Sequence, residues 1–600
     1  MRERDSNRTF GLAAAVERLR ALVPRRRDFR WPRASALLFV SIPAFLAGYH
    51  LAALLLFLNP DLPYDGGALA RGAGGLGLLL VPLSTAAHWV ATRWRNVRLA
   101  RLLPWSLTAV LATAALQNWV HVSIFSFYLL PAFGAGLIKA ALWLSLGAVL
   151  GFYTALLHTA SHRRYGARSV ALLAFVTLAS LYVAFDRRRS VREPAAPPAL
   201  GAVSESRGAP RMLVVEVDGA TLDVFLPLAR QSRLPFFSSL LEQGVNARLA
   251  TVPPLRPPAA RASLATGKLP YRHRIAAETI QRFPWFSSRE LRLLPIGFDA
   301  LGLNRILASS RAVVAGDRRA LTVPEIAAAL GLRTAVIGAP RELLSRIALA
   351  AQASDDRFVL PDGGTAATPA PFDAQIQLLR DAGAFADPPA LERFDGDLRE
   401  TLRQALQEDR WRAASAATLL GESGGVDALF LRLPGFFPVA RESRGAFELA
   451  ELEGKRGADE RRAAEALTVY CAALDSALAD LWERLRPPRV LVVVSAFGVD
   501  PPRGLRRIAG EIGRVGRLGG TLSSEPDGAL WMRGEEIIRA AASLPPARTV
   551  DVAPTLLYLA GLPIARDLDG RVLTEAIEPV LLKRRPLSFL PSYEPLAPRR

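Results

Sequence analysis

The sequence predicts an α/β protein with an N-terminal module of five transmembrane helices, followed by a doubly wound, mostly parallel sheet sandwiched by helices. Five apolar runs, each near the roughly 20 residues that cross a bilayer as a helix, lie before residue 187. From residue 211 onward, apolar strands alternate with amphipathic helices. Runs such as MLVVEVD (212–218) and RVLVVVSAFG (489–498) are apolar throughout, which is typical of strands covered on both faces.

The membrane module is predicted at residues 35–186, after a basic cytoplasmic segment at 1–34. The apolar runs cover about 35–58, 72–92, 104–121, 129–156 and 168–186. The first run is no cleavable signal peptide, because a long hydrophilic segment precedes it and four more runs follow. Residues 187–210 are rich in Pro, Ala, Gly and Ser without periodicity, which indicates a linker.

The charge distribution indicates a membrane protein and argues against a nucleic-acid partner. Up to residue 193 there are 23 Arg or Lys and 8 Asp or Glu, so +15 of the formal +20 lies in this half. Basic segments before the first run and around 93–101 and 163–168 alternate with an acidic first connection and an uncharged third connection. The positive-inside rule then predicts an inner (cytoplasmic) membrane protein with a cytoplasmic N-terminus and an extracytoplasmic C-terminal domain. The basic run 187–189 opposes this orientation.

The C-terminal domain is predicted at residues 211–576, with a probable insertion or cap at 345–425 and a tail at 577–600. Besides the two strands above, the sequence predicts strands at VNARLATV, RTAVIGA and VDALFLRL, and helices at 322–331 and 458–487. Ligands of doubly wound sheets lie at the carboxyl ends of the strands. Asp218 and the turns after Leu433 and Val494 therefore mark the expected site.

Several segments carry a family resemblance over roughly residues 210–575. They are VVEVDGATLDVF, the stretch RLPFFSSLLEQGVNARLATVPPLRPPAARASLATGKLPYRHRI, TVPEIAAALGLRTAVIGAP and TVDVAPTLLYLAGLPIARDLDGRVL. Together they resemble the alkaline phosphatase superfamily, in particular its type I phosphodiesterase/nucleotide pyrophosphatase (sulfatase-like) branch. The resemblance implies an alkaline-phosphatase-like domain and a hydrolase that uses a Ser or Thr nucleophile with zinc or manganese.

The resemblance fails at most of the residues that would carry this chemistry. Asp218 matches the first metal ligand, whereas Arg256 occupies the nucleophile position. The remaining metal-ligand positions fall on Phe437, Arg441, Ala496, Phe497 and a residue at or near Ser524. The sequence therefore predicts no catalytic nucleophile and no resident metal or other cofactor.

The histidine count supports the same conclusion. The chain has six histidines, and His273 is the only one after residue 165. Zinc sites usually need several imidazoles. His273 matches the family's turn histidine and is predicted to brace the loop rather than to bind metal. Carboxylates that remain open as substitute ligands are Glu216, Asp223, Glu442, Asp500 and Asp527.

Two interpretations of the altered pocket stay open. In the first, Arg256 forms a salt bridge with Asp218 and fills an inactive site. In the second, Arg256, Arg261 and Arg441 bind an anionic headgroup, since guanidinium groups match phosphate and carboxylate geometry. Asp218 and His273 complete this candidate ligand-binding set.

The predicted function is that of a membrane-anchored, catalytically inactive phosphodiesterase-like protein. It would act in the cell envelope by binding a protein partner or an anionic lipid or glycan. The alternative is an active metal-dependent phosphodiesterase or phosphatase, or an envelope headgroup transferase, with an atypical site. The layout supports the latter alternative, because it resembles lipoteichoic acid synthases and phosphoethanolamine transferases.

Overall fold

A computed structural model of the chain describes most of the membrane module and of the C-terminal domain. The described residues are 34–62, 66–95, 99–161, 165–186, 209–284, 286, 290–298, 308–347, 351–354, 387–421, 425–449, 457–503, 519–522, 525–539 and 542–596. Ser524, the basic segment up to residue 33 and much of the predicted insertion lie outside them. The chain forms two compact units: 1–54, 65–118 and 139–188 in the first, and 55–64, 119–138 and 189–600 in the second.

The N-terminal part is helical, as the apolar runs predict. Its helices are α1 (Ala34–Leu58), α2 (Gly66–Arg95), α3 (Leu99–Ile124), α4 (Pro131–Ala160) and α5 (Ala167–Asp186). The first four are long and apolar enough to cross a membrane, whereas the apolar part of α5 spans only Ala167–Val183. Large apolar side chains such as Leu78, Trp143 and Phe175 are exposed on these helices, as expected of helices that contact lipid.

The C-terminal domain is built on a mostly parallel sheet, of which the described residues form nine strands. In chain order its strands are β1 (Arg211–Val217), β2 (Val245–Ala250), β6 (Thr334–Ala339), β7 (Ala351–Ser354), β8 (Ala428–Leu433), β9 (Arg489–Ser495), β10 (Gly528–Gly534), β11 (Ala542–Ser543) and β12 (Ala547–Arg548). Strand β1 lies between β8 and β9 and is parallel to both. Strand β10 is antiparallel to its neighbours β9 and β2. A separate three-stranded sheet contains β3 (Thr279–Arg282), β4 (Glu290–Leu291) and β5 (Ser309–Ala312).

Helices cover both faces of the large sheet, because both faces of its central strands are apolar. Leu213, Val215 and Val217 of β1 are buried in one hydrophobic cluster, and Met212 and Val214 are buried in a second one. The helices of the domain are α6 (Leu222–Arg230), α7 (Pro235–Gln243), α8 (Pro257–Thr266), α9 (Pro270–His273), α10 (Val323–Ala329), α11 (Gly396–Gly421), α12 (Phe436–Phe447), α13 (Ala458–Arg484), α14 (Val552–Leu559) and α15 (Pro579–Arg584). The predicted mixed α/β architecture with a mostly parallel central sheet is confirmed.

Helix α11 lies within the region predicted as an insertion or cap. Its Leu402, Ala405 and Leu406 are buried in the first hydrophobic cluster, together with residues of β8 and α13. This helix is therefore part of the domain core. The interpretation of 345–425 as an insertion or cap stays a prediction.

Candidate functional site

Asp218 follows β1 directly and is the centre of a buried ion-pair network. Its Oδ2 atom accepts hydrogen bonds from Arg432 Nη2 at 2.7 Å and from Arg432 Nε at 3.2 Å. Arg261 Nη1 donates to the same oxygen at 3.3 Å. Asp218 is only 3% exposed, so both guanidinium groups act on it in a medium of low polarity, where charge interactions are strong.

Arg261 connects Asp218 to a second carboxylate. Its Nη2 atom donates to Glu342 Oε1 at 3.0 Å, and Glu342 is also buried. Burial raises the pKa of Asp218, but the charges of Arg432 and Arg261 outweigh it, and the pKa lies below its ordinary value. Oδ2 of Asp218 is therefore paired with arginines, whereas its Oδ1 atom is buried and has no hydrogen-bond partner.

The prediction that Arg256 pairs with Asp218 is wrong, since the partners of Asp218 are Arg261 and Arg432. Arg256 is the N-cap residue of α8 and has an extended backbone. Its Nη1 atom donates to the carbonyl of Ala276 at 3.2 Å, and its guanidinium lies 5.4 Å from the centre of the Phe125 ring. Arg261 lies inside the helix among buried residues, and this position brings it to Asp218.

A second acid, Glu216, lies on the same face of β1 as Asp218. Its Oε1 atom is buried and has no hydrogen-bond partner. Burial and the negative charge of Asp218 raise the pKa of Glu216 to about 8. Glu216 was open as a substitute metal ligand, and the charged groups that act on it are the carboxylates of Asp218 and Glu342 and the guanidinium groups of Arg432 and Arg261.

Sequence reasoning missed Arg432 and Glu342. Arg432 is paired in register with Glu216 across β1 and β8. A signal for Arg432 existed, because a charged residue inside the apolar strand ALFLRL is rarely buried without a partner. Glu342 lies in a short 3-10 turn after β6, where no sequence pattern indicated it.

Apolar side chains occupy three of the other positions at which the family resemblance places metal ligands, those of Phe437, Ala496 and Phe497. The rings of Phe437 and Phe497 meet edge to face, with centroids 5.7 Å apart. A side chain at Gly219, the residue after Asp218, would meet Phe437 at 3.1 Å. These residues and Ala496 do not fit a two-metal site, because they offer no donor atoms. Among the described residues, no group of three or more His, Cys, Asp and Glu could hold a metal ion.

The three arginines of the headgroup hypothesis have different surroundings. Arg261 is buried between two carboxylates, and Arg256 lies against Phe125. Arg441 is exposed on α12, and its guanidinium lies 5.9 Å from the centre of the Phe437 ring. Of the three, Arg441 presents its charge to solvent.

His273 is fully buried, and both of its ring nitrogens have neighbours. Nε2 lies 3.0 Å from Ser263 Oγ, and Nδ1 accepts a hydrogen bond from the backbone N–H of Ile275 at 3.1 Å. Burial and the nearby charges of Arg318 and Lys268 lower the pKa of His273 to about 3. The ring is therefore neutral and ties α8 to the turn after α9.

Other candidate carboxylates have local partners. Asp223 accepts a hydrogen bond from Arg248 Nη1 at 3.3 Å, and Glu442 accepts one from Thr401 Oγ1 at 2.6 Å. Burial raises the pKa of Asp527. Asp223, Asp500 and Asp527 are neighbours, because the charges of all three act on Arg248, whereas Glu442 makes a separate contact.

The segment around Arg256 also contacts the third membrane connection, which belongs to the same compact unit. Tyr128 donates from its hydroxyl to the carbonyl of Pro254 at 2.8 Å. The backbone N–H of Tyr271 donates to the carbonyl of Phe127 at 3.3 Å. The segment that matches the family's nucleophile region therefore packs on residues between α3 and α4.

The first membrane connection makes similar contacts within that unit. Asn59 donates from Nδ2 to the carbonyl of Leu293 at 2.8 Å. Its Oδ1 accepts from the backbone N–H groups of Arg292 at 2.7 Å and Leu293 at 3.0 Å. Asp61 forms ion pairs with Arg274 at 2.5 Å and Arg292 at 3.3 Å. The first and third connections thus both bind the C-terminal domain.

Comparisons with known proteins support the family resemblance. Residues 212–282 match the family described as type I phosphodiesterase / nucleotide pyrophosphatase. This segment contains Asp218, Arg256, Arg261 and His273, so the predicted resemblance is confirmed there. No curated protein sequence matches the chain.

Solved structures of alkaline phosphatase superfamily hydrolases are similar to the chain at low identity. Wild-type alkaline phosphatase PafA is 12% identical, with a TM-score of 0.40, over 62% of this chain and 100% of its own. Murine ectonucleotide pyrophosphatase / phosphodiesterase 5 is 10% identical, with a TM-score of 0.36, over 61% and 100%. The phosphonate monoester hydrolase of Silicibacter pomeroyi is 15% identical, with a TM-score of 0.35, over 61% and 76%.

Proposed function

We propose that the chain is a membrane-anchored, catalytically inactive relative of type I phosphodiesterases that acts in the cell envelope by binding. The observation that carries this proposal is the pair of guanidinium groups on Oδ2 of Asp218. A divalent metal on the same carboxylate would lie beside two fixed positive charges and would be repelled by both. The arginines therefore take the place of metal as the counter-ions of Asp218.

The nucleophile position supports the same proposal. A Ser or Thr nucleophile attacks through an oxygen that a metal or base activates. The guanidinium of Arg256 has only donors and stays protonated, and it lies against Phe125 and the Ala276 carbonyl. No acyl- or phosphoryl-enzyme step can therefore be built on this residue.

A phosphodiesterase assay combined with metal analysis tests this part. The purified full chain is incubated with zinc or manganese, its metal content is measured by mass spectrometry, and hydrolysis of bis(4-nitrophenyl) phosphate is followed. We expect less than stoichiometric metal and a rate equal to that of the Asp218→Ala variant. Stoichiometric metal with turnover that Asp218→Ala abolishes would establish the alternative, an active enzyme with an atypical site.

The proposed binding function has two candidate partners, an anionic lipid or glycan and a protein. Substitution of Arg441 distinguishes between them. An anionic lipid or glycan would use the exposed guanidinium of Arg441 beside the Phe437 ring. The chain in neutral nanodiscs is titrated with phosphatidylglycerol vesicles, together with the Arg441→Ala and Arg256→Ala variants. Weaker binding by these variants favours the anionic ligand. Unchanged binding contradicts the headgroup hypothesis and leaves a protein partner.

We also propose five spans with the C-terminal domain outside the cytoplasm. The contacts of the membrane connections support the number of spans, and the basic segments before α1 and around 93–101 and 163–168 support the orientation. The first and third connections bind the domain through Asn59, Asp61 and Tyr128, so all three lie on one side of the membrane. Two further helices, α4 and α5, separate the third connection from the domain. An even number of crossings returns the chain to the same side, so in this proposal α5 crosses as well as α4.

Cysteine labelling tests this arrangement. Cys471, the only cysteine, is buried, so a Cys471→Ala background removes it. Ser476→Cys at an exposed position of α13 and Ser161→Cys at an exposed position after α4 then place one thiol in the domain and one in the fourth connection. A membrane-impermeant maleimide should label the first variant in intact spheroplasts and the second only after lysis. The reverse pattern would overturn the orientation.

A further inference from the structure

The excess positive charge of the C-terminal half lies in one segment, residues 271–320. This segment contains nine arginines and four acidic residues, a net charge of +5. Subtracting the 23 basic and 8 acidic residues up to residue 193 from the totals of 75 and 55 leaves 52 and 47 for residues 194–600, which is also +5. The rest of this half is therefore neutral overall.

Residues of the same segment contact both of the membrane connections that bind the domain. Arg292 pairs with Asp61 of the first connection. The backbone N–H of Ile296 donates to His121 Nε2 at 2.9 Å. His121 precedes the end of α3 at Ile124 by one turn or less, about 4.5 Å along the helix axis. If α3 crosses the membrane, Ile296 therefore lies at the membrane surface.

Ile296 is at the tip of a tight turn and directs an apolar side chain outward. The turn is closed by the backbone N–H of Phe298, which donates to the carbonyl of Pro295 at 3.1 Å. Gly297 has a φ of 82°, which a glycine adopts without strain. The side chain of Ile296 is 48% exposed, whereas Leu294 and Phe298 on either side of it are buried.

Exposed arginines lie close along the chain to these contacts. Arg282 is exposed on β3 and is paired in register with Glu290, which is two residues from Arg292. Arg319 is exposed, and its backbone N–H donates to the carbonyl of His273 at 3.1 Å. The residue after His273 pairs with the first connection. The turn at 295–298 and these two arginines are called the basic face.

We propose that the basic face binds anionic phospholipids of the leaflet next to the first and third connections. Ile296 enters the layer between the headgroups and the acyl chains, and Arg282 and Arg319 contact the lipid phosphates. A lipid surface offers both an apolar layer and negative charge, whereas a soluble anion would leave Ile296 in water. The inference rests on the proposed membrane spans and does not involve Arg441.

Fluorescence quenching of the full chain in lipid nanodiscs tests this proposal. In a Cys471→Ala background, which has no cysteine, Ile296→Cys carries an NBD fluorophore at the tip of the turn. The nanodiscs contain phosphatidylcholine with or without phosphatidylglycerol, and a doxyl-labelled lipid whose spin label lies just below the headgroups acts as the quencher. Size-exclusion chromatography verifies that the labelled chain stays in the nanodisc.

Val580→Cys in the same background is the matched control for position. Val580 is 55% exposed on α15. The residue before α15, Glu578, donates from its backbone N–H to the carbonyl of Glu536. Glu536 follows β10, which is antiparallel to β9 and ends at the edge of the sheet opposite Asp218. The control therefore places an exposed fluorophore on the domain away from the membrane connections.

Two double variants measure the contribution of charge. Arg282→Gln with Arg319→Gln removes two cations from the basic face. Lys583→Gln with Arg584→Gln removes two exposed cations from α15 instead. Thermal unfolding of each variant verifies that it is folded.

We expect stronger quenching at residue 296 than at residue 580. Phosphatidylglycerol should increase the quenching at 296 by about twofold, since anionic lipid attracts basic residues near the surface. The arginine double variant should lose most of this increase, and the α15 double variant should keep it.

The proposal is overturned if quenching at 296 does not exceed that at 580, as expected if the basic face binds a protein. It is also overturned if phosphatidylglycerol has no effect or if both double variants reduce the effect equally. A chain that does not stay in the nanodisc would contradict the proposed membrane spans, and this inference with them.

Discussion

The buried imidazole of His273 should make the folded protein less stable in mild acid. The pKa of His273 is lowered from 6.5 to about 3 by burial and by nearby cations. Its unfolded form therefore takes up a proton at a higher pH than its folded form. The stabilising contribution is complete above pH 6.5 and is lost as the pH falls toward 3. Between pH 7 and pH 5 this one residue should lower the free energy of unfolding by about 2 kcal/mol.

His273→Gln removes this titration, and urea denaturation of the full chain in nanodiscs at pH 7 and pH 5 measures it. The variant is expected to be less stable at pH 7, because contacts to Ser263 and Ile275 are disturbed. Its loss of stability between the two pH values should be smaller than that of the wild type by about 2 kcal/mol. Ser263→Ala is the matched control, since it removes a hydrogen-bond partner and keeps the imidazole. Equal pH dependence in wild type and His273→Gln would refute the reasoning.

Three further perturbations test the buried contacts. Arg432→Met should lower the free energy of unfolding, measured by urea denaturation, by about 3 kcal/mol, because it removes one of the cations that pair with Asp218. Adding Asp218→Asn should restore most of this free energy, and no recovery would contradict the pairing. Glu325→Gln should lower the free energy of unfolding by about 3–5 kcal/mol, since Glu325 and Arg318 form an ion pair with two hydrogen bonds and both side chains are fully buried. A decrease under about 1 kcal/mol would contradict this buried pair. Asn59→Ala should speed hydrogen exchange of the backbone amides at 292 and 293, which its side chain holds, and unchanged exchange would show that these contacts do not form.

The elements with strong local patterns are the ones that sequence predicts well. A run of about 20 apolar residues has few folded alternatives to a helix in lipid, and the described part of the chain contains four helices of this length and composition. The strands MLVVEVD and RVLVVVSAFG bury alternate residues in opposite clusters. The position of Asp218 at a strand end was also predictable from the sequence. In a doubly wound sheet, ligand-binding side chains lie at the carboxyl ends of the strands.

The partners of Asp218 depended on contacts that no local pattern contains. The sequence offers several cations that could pair with Asp218, among them Arg256, Arg261 and Arg432. The family resemblance favoured Arg256, because this residue occupies the nucleophile position. The N-cap geometry of Arg256 and the docking of Phe125 turn it elsewhere. Arg432 reaches Asp218 because β8 lies beside β1 in the sheet, and this neighbour is 214 residues away along the chain.

The sequence by itself therefore determined that long apolar helices precede an α/β domain and that its residues 212–282 resemble type I phosphodiesterases. The replacement of metal-ligand side chains at most family positions stays a prediction. These properties reside in residue identity and in short-range periodicity. Only the tertiary structure decided that Arg261 and Arg432 pair with Asp218, that Arg256 packs on a membrane connection, and that the buried Oε1 atom of Glu216 has no hydrogen-bond partner. Electrostatic pairing depends on distances of about 3 Å between groups, and the order of strands and the packing of helices set those distances.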